Sequence, residues 1–183
     1  MLTAPDARVR SAALGALLRN GPQVRARRAW AAAARDLQSA VRRRACELAP
    51  LLVEPAARPL ITLLQDHDPL VAECAAFACG EIPWTGQRRS RVVRALTAAA
   101  RHDDALVRES AVAALGSLGD PAGLPAILAA CADQPSVRRR AVLALAPFDG
   151  PEVDAALATA AGDSDWQTRQ AAEDLGAPDG TLE

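Results

Sequence analysis

Apolar residues recur along this chain at helical spacing, in units of about 30 residues. In the clearest unit, the apolar positions step by three or four residues, as on one face of a helix: Val107, Ala111, Ala114, Leu115 and Leu118. Asp104 precedes this run and can cap the free N–H groups of a helix. Gly116 and Gly119 supply its end, and Asp120 with Pro121 begins a second helix. Each unit therefore predicts a first helix and a second helix joined by a short turn.

The same pattern occurs six times. Each first helix has a valine near its start, or a glutamine in the sixth copy: Val9, Val41, Val71, Val107, Val137 and Gln167. Four residues later every copy has alanine: Ala13, Ala45, Ala75, Ala111, Ala141 and Ala171. Spacings of 32, 30, 36, 30 and 30 residues are typical of a solenoid. Because helices approach closely only where side chains are small, we expect these alanines where first helices meet, and phenylalanine at Ala111 to be badly tolerated.

The pattern also predicts where the helices and units lie. First helices are predicted at about 7–18, 38–51, 69–79, 104–117, 135–145 and 164–175. Second helices are predicted at about 22–34, 56–65, 88–101, 121–132 and 151–161. Residues 1–183 are expected to form one solenoid, with repeats at about 5–35, 36–65, 66–102, 103–132 and 133–162, a capping half-repeat at 163–176 and a tail at 177–183.

An arginine directly follows the valine in four copies, and an aspartate stands three to five residues before it. These pairs are Asp6 with Arg10, Asp36 with Arg42, Asp104 with Arg108, and Asp133 with Arg138. We expect them to form a structural ladder between adjacent units.

The phrase Asp-x-x-Val-Arg-x-x-Ala-x-x-Ala-Leu-Gly-x-Leu-Gly-Asp-Pro at residues 104–121 resembles the HEAT repeat, in the short bacterial form of the phycobilisome-lyase HEAT-like repeats. The resemblance covers essentially residues 6–176. It implies an all-α fold, a right-handed α-solenoid of about five and a half helical hairpins, with the second helices on the concave side. Family members include scaffolds, chromophore-lyase subunits, an iron-dependent hydroxylase and DNA glycosylases, so the resemblance alone does not select a function.

Charge is distributed unevenly along the chain. Residues 1–102 contain 16 arginines and 8 acidic residues, whereas residues 103–183 contain 5 arginines and 14 acidic residues. The basic end of one copy is therefore complementary to the acidic end of another, which predicts a head-to-tail contact that weakens with salt. No signal peptide and no membrane-spanning run stands out, and the four cysteines have no metal-ligand spacing. A cytoplasmic protein that does not bind membranes is expected.

The sequence contains no recognisable catalytic constellation. Its two histidines, His67 and His102, are each followed by aspartate, and the paired His-Glu motifs of the hydroxylase branch are missing. Glycine-rich phosphate loops and nucleophile motifs are missing too. We expect neither an enzyme nor a bound metal or cofactor.

The second helices of the first three units carry a series of arginines. Arg28, Arg58 and Arg94 stand 13 residues before each repeat valine, and Leu124 and Asp154 replace them in units four and five. The same helices add four more arginines on this side: Arg25, Arg35, Arg91 and Arg101. This arginine stripe predicts an anion-binding face, for which a merely solvated face is the alternative.

The third repeat is six residues longer than its neighbours, and Trp84 lies in the surplus. Either Trp84 folds back over the ends of the first helices, or it is an exposed anchor beside Arg88 and Arg89. These three residues complete the predicted partner-binding set.

The combined pattern favours a non-catalytic scaffold or adaptor that binds an acidic protein through the arginine-lined second helices of repeats 1–3. One alternative is nucleic-acid binding, as in the HEAT-like DNA glycosylases. The acidic C-terminal half and the lack of aromatic residues within the stripe disfavour it. Another alternative is an accessory subunit of a lyase or biosynthetic enzyme.

Overall fold

The computed structural model describes residues 4–53 and 55–176, and every regular element in them is helical. The odd-numbered helices, the first helices of each unit, are α1 (Ala7–Asn20), α3 (Ser39–Leu48), α5 (Pro69–Glu81), α7 (Ala105–Leu118), α9 (Pro135–Ala144) and α11 (Trp166–Asp174). The even-numbered helices are α2 (Gln23–Ala33), α4 (Ala57–Leu63), α6 (Gly86–Ala99), α8 (Leu124–Ala130) and α10 (Pro151–Ala161). Among the described residues, no helix combines the length and hydropathy needed to cross a membrane.

The predicted all-α solenoid is confirmed, and most helix ends lie within about two residues of their predicted positions. Two segments differ. The helix predicted at 38–51 ends at Leu48, and a 3₁₀ turn containing Pro50 follows it. The helix predicted at 121–132 begins as a 3₁₀ turn, Pro121–Gly123, and becomes α-helical at Leu124.

Neighbouring odd-numbered helices nearly touch. Four of the repeated alanines are completely buried: Ala45, Ala75, Ala111 and Ala141. A Cβ atom added to Gly116 of α7 would lie 2.7 Å from the Cβ atom of Ala144 in α9, and one added to Gly80 of α5 would lie 3.0 Å from the Cα atom of Ala114 in α7. Small side chains therefore set the spacing of this layer, as the repeat predicted.

Neighbouring even-numbered helices contact one another less extensively than neighbouring odd-numbered helices do. Two of the even-numbered helices, α4 and α8, have only 7 residues each, and a cleft opens between α2, α4 and α6. That the second helices line the concave side stays a prediction.

The predicted arginine ladder is present, and each arginine reaches the aspartate of the following unit. Its rungs are Arg10–Asp36, Arg42–Asp66, Arg108–Asp133 and Arg138–Asp163, with N···O distances of 2.6 to 2.8 Å. Each arginine also donates to a backbone carbonyl at the start of its own unit. The ladder aspartates in turn accept backbone N–H groups. Asp6 and Asp104 are not rungs, because they cap α1 and α7.

One rung is missing, and both of its members are replaced together. Ala72, fully buried in α5, stands where the ladder arginine would be. His102 stands where the aspartate would be, and its Nδ1 atom accepts the backbone N–H of Asp104 at 3.0 Å. The imidazole therefore keeps the turn without leaving an unpaired buried charge.

The sixth copy is aligned one residue later than the sequence pattern indicated. Gln167, the predicted equivalent of valine, is exposed, whereas Thr168 is 1% exposed. Arg169 donates to the carbonyl of Asp163 at 2.6 Å, as a ladder arginine does. Ala172, completely buried, takes the place predicted for Ala171.

Candidate functional site

A cleft of about 620 Å³ opens between α2, α4 and α6. Helix α4 has 7 residues, compared with 11 in α2 and 14 in α6. Pro59 explains the late start of α4, because a proline ring fits the first turn of a helix but clashes with the preceding turn in its interior. The turn missing from α4 leaves the space between its two neighbours open.

Four arginines surround this cleft: Arg27, Arg58, Arg88 and Arg91. All four are exposed. Its apolar floor is formed by Trp30, Ala31, Leu52, Ala57 and Ile61. We call this site the arginine cleft. An apolar depression ringed by cations suits a ligand that carries both negative charge and apolar surface.

Three of these cations lack an acidic partner in the described part of the chain. Within residues 4–53 and 55–176, the side chains of Arg58, Arg88 and Arg91 form neither an ion pair nor a hydrogen bond. Arg27 differs, because it donates to the carbonyl of Val53 and so holds the segment that precedes α4. The cleft therefore presents guanidinium groups that remain available to a bound anion.

The arginine stripe predicted from the sequence is divided by the structure. Arg58 and Arg91 reach the cleft, whereas Arg25, Arg28 and Arg94 are exposed on the same helices but do not line it. Arg35 and Arg101 lie beyond the C-terminal ends of α2 and α6, away from the cleft. At 1.5 Å per residue, they lie roughly 12 to 15 Å from the cleft arginines of their own helices. Only part of the stripe forms one site.

Arg27 is the cleft residue that the sequence analysis missed. The arginine stripe is defined by the position 13 residues before each valine, which is Arg28 in the first unit. Arg27 lies three residues before Trp30 and four before Ala31, so its side chain shares their side of α2. That spacing relative to apolar residues was the available signal.

Two predicted binding residues are not part of the exposed surface. Trp84 is 4% exposed, and its Nε1 atom donates to the carbonyl of Cys79 at 2.9 Å. It therefore folds back on the end of α5 and is not an exposed anchor. Arg89 is half-buried and donates to the carboxylate of Asp120 at 3.0 Å and to the carbonyl of Leu118. These bonds tie α6 to the end of α7, so Arg89 is a structural residue.

Two of the cleft arginines occupy electrostatically unfavourable positions in their helices. Helices α2, α4 and α6 have no acidic residue in the first turn and no side-chain cap. In α1, α5 and α7, by contrast, an aspartate side chain caps the first turn. Arg58 and Arg88 nevertheless lie near the starts of α4 and α6. A cation near a helix N-terminus opposes the helix dipole, at about 0.3 to 1 kcal/mol for an exposed group. An anion bound in the cleft would relieve this repulsion.

A second depression, of about 480 Å³, lies between the odd-numbered helices α7 and α9. Its lining includes Gly116, Ser117 and Leu143, and Arg140 is its charged member. The guanidinium of Arg140 lies 3.4 Å from the carboxylate of Glu109. Because this cation already has an acidic partner, the arginine cleft is the better candidate for binding an anion.

The cysteine thiols are poorly suited to nucleophilic chemistry. Burial raises the pKa of Cys46, raises that of Cys74 and of Cys79 to about 12, and raises that of Cys131 to about 11. These thiols are therefore protonated at neutral pH. In the part of the chain that the structure describes, no group of three His, Cys, Asp or Glu residues is placed to hold a metal ion.

Comparison with known proteins identifies the repeat. The family model for HEAT repeats matches residues 57–146 and 93–175, together more than half of the chain. An engineered protein of known structure is 20% identical, with a TM-score of 0.68, and the match covers 95% of this chain and 93% of that one. A designed armadillo repeat protein in complex with the peptide (KR)4 is 16% identical, with a TM-score of 0.66 and coverage of 95% and 94%.

A third similar structure, human deoxyhypusine hydroxylase, is 20% identical over 95% of this chain and 80% of that one. Its TM-score of 0.44 is too low to carry an argument. A search of curated proteins finds no match. At these identities, the structural likenesses establish a repeat-solenoid fold.

Proposed function

This chain belongs to the HEAT-repeat family, and from that premise we propose that it is a non-catalytic protein-binding scaffold whose arginine cleft holds an acidic segment of a partner protein. The observation that carries the proposal is the group of Arg58, Arg88 and Arg91 around one cleft, without acidic partners in the described chain. Stacked helical hairpins supply an extended rigid surface of the kind that repeat proteins use for binding.

The charge of the partner follows from the cleft. Guanidinium groups bind carboxylates through paired N–H donors, and three of them in one cleft favour a run of Asp or Glu over a single acidic residue. The designed relative that was solved with the peptide (KR)4 supports a peptide ligand in general. Its peptide is basic, so the acidic partner is argued from this chain's arginines alone.

The test is fluorescence anisotropy with a labelled ten-residue peptide of Asp and Glu, at low and at physiological salt. The cleft variant is Arg58→Glu/Arg91→Glu. The matched control is Arg35→Glu/Arg101→Glu, which makes the same change in net charge at exposed positions outside the cleft. We expect the cleft variant to lose binding and the control to lose at most a few-fold through the long-range field.

Two outcomes would overturn the proposal. Equal losses in both variants would show that net charge alone attracts the peptide. The second would come from labelled single- and double-stranded DNA and RNA titrated in parallel. Binding of nucleic acid that persists at physiological salt and disappears in the cleft variant, without binding of the acidic peptide, would assign the site to a phosphate backbone.

A further inference from the structure

We infer that the acidic segment held in the arginine cleft carries a bulky apolar side chain between its acidic residues. This inference rests on the function proposed above and adds a second recognition element to it. The arginines account for the charge of the ligand, whereas the floor of the cleft accounts for the apolar residue.

The side chains of the floor offer apolar surface and no unpaired polar atom. Leu52 and Ala57 are buried, and Ala31 and Ile61 are half-buried. The polar side-chain atoms along the floor already have partners. Trp30 Nε1 donates to the carbonyl of Ala45 at 2.7 Å, and Thr62 Oγ1 donates to the carbonyl of Arg58 at 3.1 Å. A carboxylate on this floor would lose its hydration without gaining a hydrogen bond from a floor side chain, so an apolar side chain is the matching occupant.

The cleft is large enough for such a side chain together with its flanking backbone. Its volume of about 620 Å³ lies within the range of pockets that enclose small ligands. One wall is held in place, because Arg27 donates to the carbonyl of Val53 next to Leu52. Ligand binding therefore requires little ordering of this wall, which favours affinity.

The same floor argues against stacked nucleobases. Binding of single strands depends on exposed aromatic faces on which bases stack. The aromatic residue of the cleft, Trp30, is 2% exposed, and its ring is packed into the core. An aliphatic or aromatic side chain of a peptide needs a concave apolar surface instead, which Leu52, Ala57 and Ile61 provide.

The experiment compares two peptides of equal length and charge on the wild-type chain: one has leucine at the centre of its acidic run, and the other has serine. We expect the leucine peptide to bind at least tenfold more tightly. The Thr62→Trp variant fills the cleft from an exposed position, so the core is not disturbed. We expect it to lose the preference for leucine while it retains weaker binding of both peptides.

Gln65→Trp is the control, because Gln65 is exposed near the end of the same helix and does not line the cleft. It should keep the full preference for leucine. Equal affinity of the two peptides for the wild-type chain, with loss of both in Arg58→Glu/Arg91→Glu, would overturn this inference and leave the proposed function standing. Absence of binding by either peptide would overturn both. The wild-type comparison decides the question even if the Thr62→Trp variant fails to fold.

Discussion

Replacing Arg42 with alanine is expected to destabilise the solenoid more than the loss of any other arginine of the ladder. Arg42 is 6% exposed, which makes its rung the most buried one. Its Nε and Nη2 atoms donate to the Asp66 carboxylate at 2.6 and 2.8 Å, and its Nη1 atom donates to the carbonyl of Asp36 at 2.8 Å. The guanidinium therefore joins the second and third units of the array.

The magnitude follows from what the substitution leaves behind. Burial acts to raise the pKa of Asp66, but the bonds from Arg42 and from the backbone N–H of Asp68 outweigh it and hold the pKa below its ordinary value. Without Arg42, the carboxylate stays buried with one backbone donor. Removing one member of a buried pair costs about 3 to 5 kcal/mol, and the remaining bond places this case near 3. A chain of this size would then melt roughly 6 to 12 °C lower.

The assay is urea unfolding followed by circular dichroism, with Arg43→Ala as the matched control. Arg43 is the next residue, but its side chain is 46% exposed and its pair with Glu47 is 3.7 Å long. Exposed pairs of this kind contribute at most about 1 kcal/mol.

The double variant Arg42→Ala/Asp66→His reproduces the combination that the chain itself uses at Ala72 and His102. It should recover more than half of the lost stability.

A loss of stability in Arg42→Ala no larger than that in Arg43→Ala would contradict this prediction. A double variant less stable than Arg42→Ala alone would contradict it too. That second result would mean that the unpaired carboxylate is not the source of the loss and that the missing rung at Ala72 has another explanation.

Three further predictions concern acid, packing and helix electrostatics. Hydrogen bonds from their arginines hold the pKa of the ladder aspartates Asp36, Asp133 and Asp163 below the ordinary 3.8. Their contribution is complete above that pH and is lost as the pH falls through the folded-state pKa, so urea midpoints should fall below about pH 4. Gly116→Ala places a Cβ atom 2.7 Å from that of Ala144, and we expect urea unfolding to show a loss of about 1 to 3 kcal/mol in the free energy of unfolding. Gly162→Ala is the control and should show no such loss, because the nearest atom to its added Cβ lies 3.7 Å away. Arg88→Glu should raise the free energy of unfolding by about 0.3 to 1 kcal/mol, because it places an anion at the uncapped start of α6. Fluorescence anisotropy should show weaker binding of the acidic peptide to this variant. A loss of stability would contradict the expected interaction with the helix dipole.

Charge polarity along the solenoid gives one more prediction. At low salt and high protein concentration, the basic first half of one copy should meet the acidic second half of another, and added salt should disperse the contact. Light scattering that finds a monomer at low salt would exclude this head-to-tail association.

The helices of this fold could be predicted well from the sequence, because the signals for each hairpin lie within its own repeat. The apolar spacing, the aspartates at helix starts and the repeated small residues all indicate the same hairpin. The ladder could also be predicted, since Arg42 and its equivalents recur at fixed distances from an aspartate. The partner of each arginine could not be chosen, because the aspartates of two successive units are equally regular in sequence.

Other features of the structure depend on tertiary contacts, which cannot be predicted from the sequence of a single repeat. The register of the sixth copy is set by the bonds of Arg169 and the burial of Thr168, which a repeat pattern with glutamine and threonine side by side leaves open. The closer packing of the odd-numbered helices than of the even-numbered ones arises from contacts between stacked repeats. Trp84 allowed two interpretations, and its burial and its bond to Cys79 decide between them.

The candidate site lies in the less closely packed of the two helix layers. Alanine and glycine allow the odd-numbered helices to pack closely, whereas the even-numbered helices contact one another less, and the short α4 leaves a cleft between α2 and α6. The chain then places arginines near uncapped helix starts, where they oppose the helix dipole, and Arg58 and Arg88 lack acidic partners in the described chain. The ladder arginines, by contrast, all bind aspartates. The ladder arginines stabilise the fold and are paired, whereas Arg58 and Arg88 weaken it slightly, and an acidic ligand bound in the cleft would supply their missing partner.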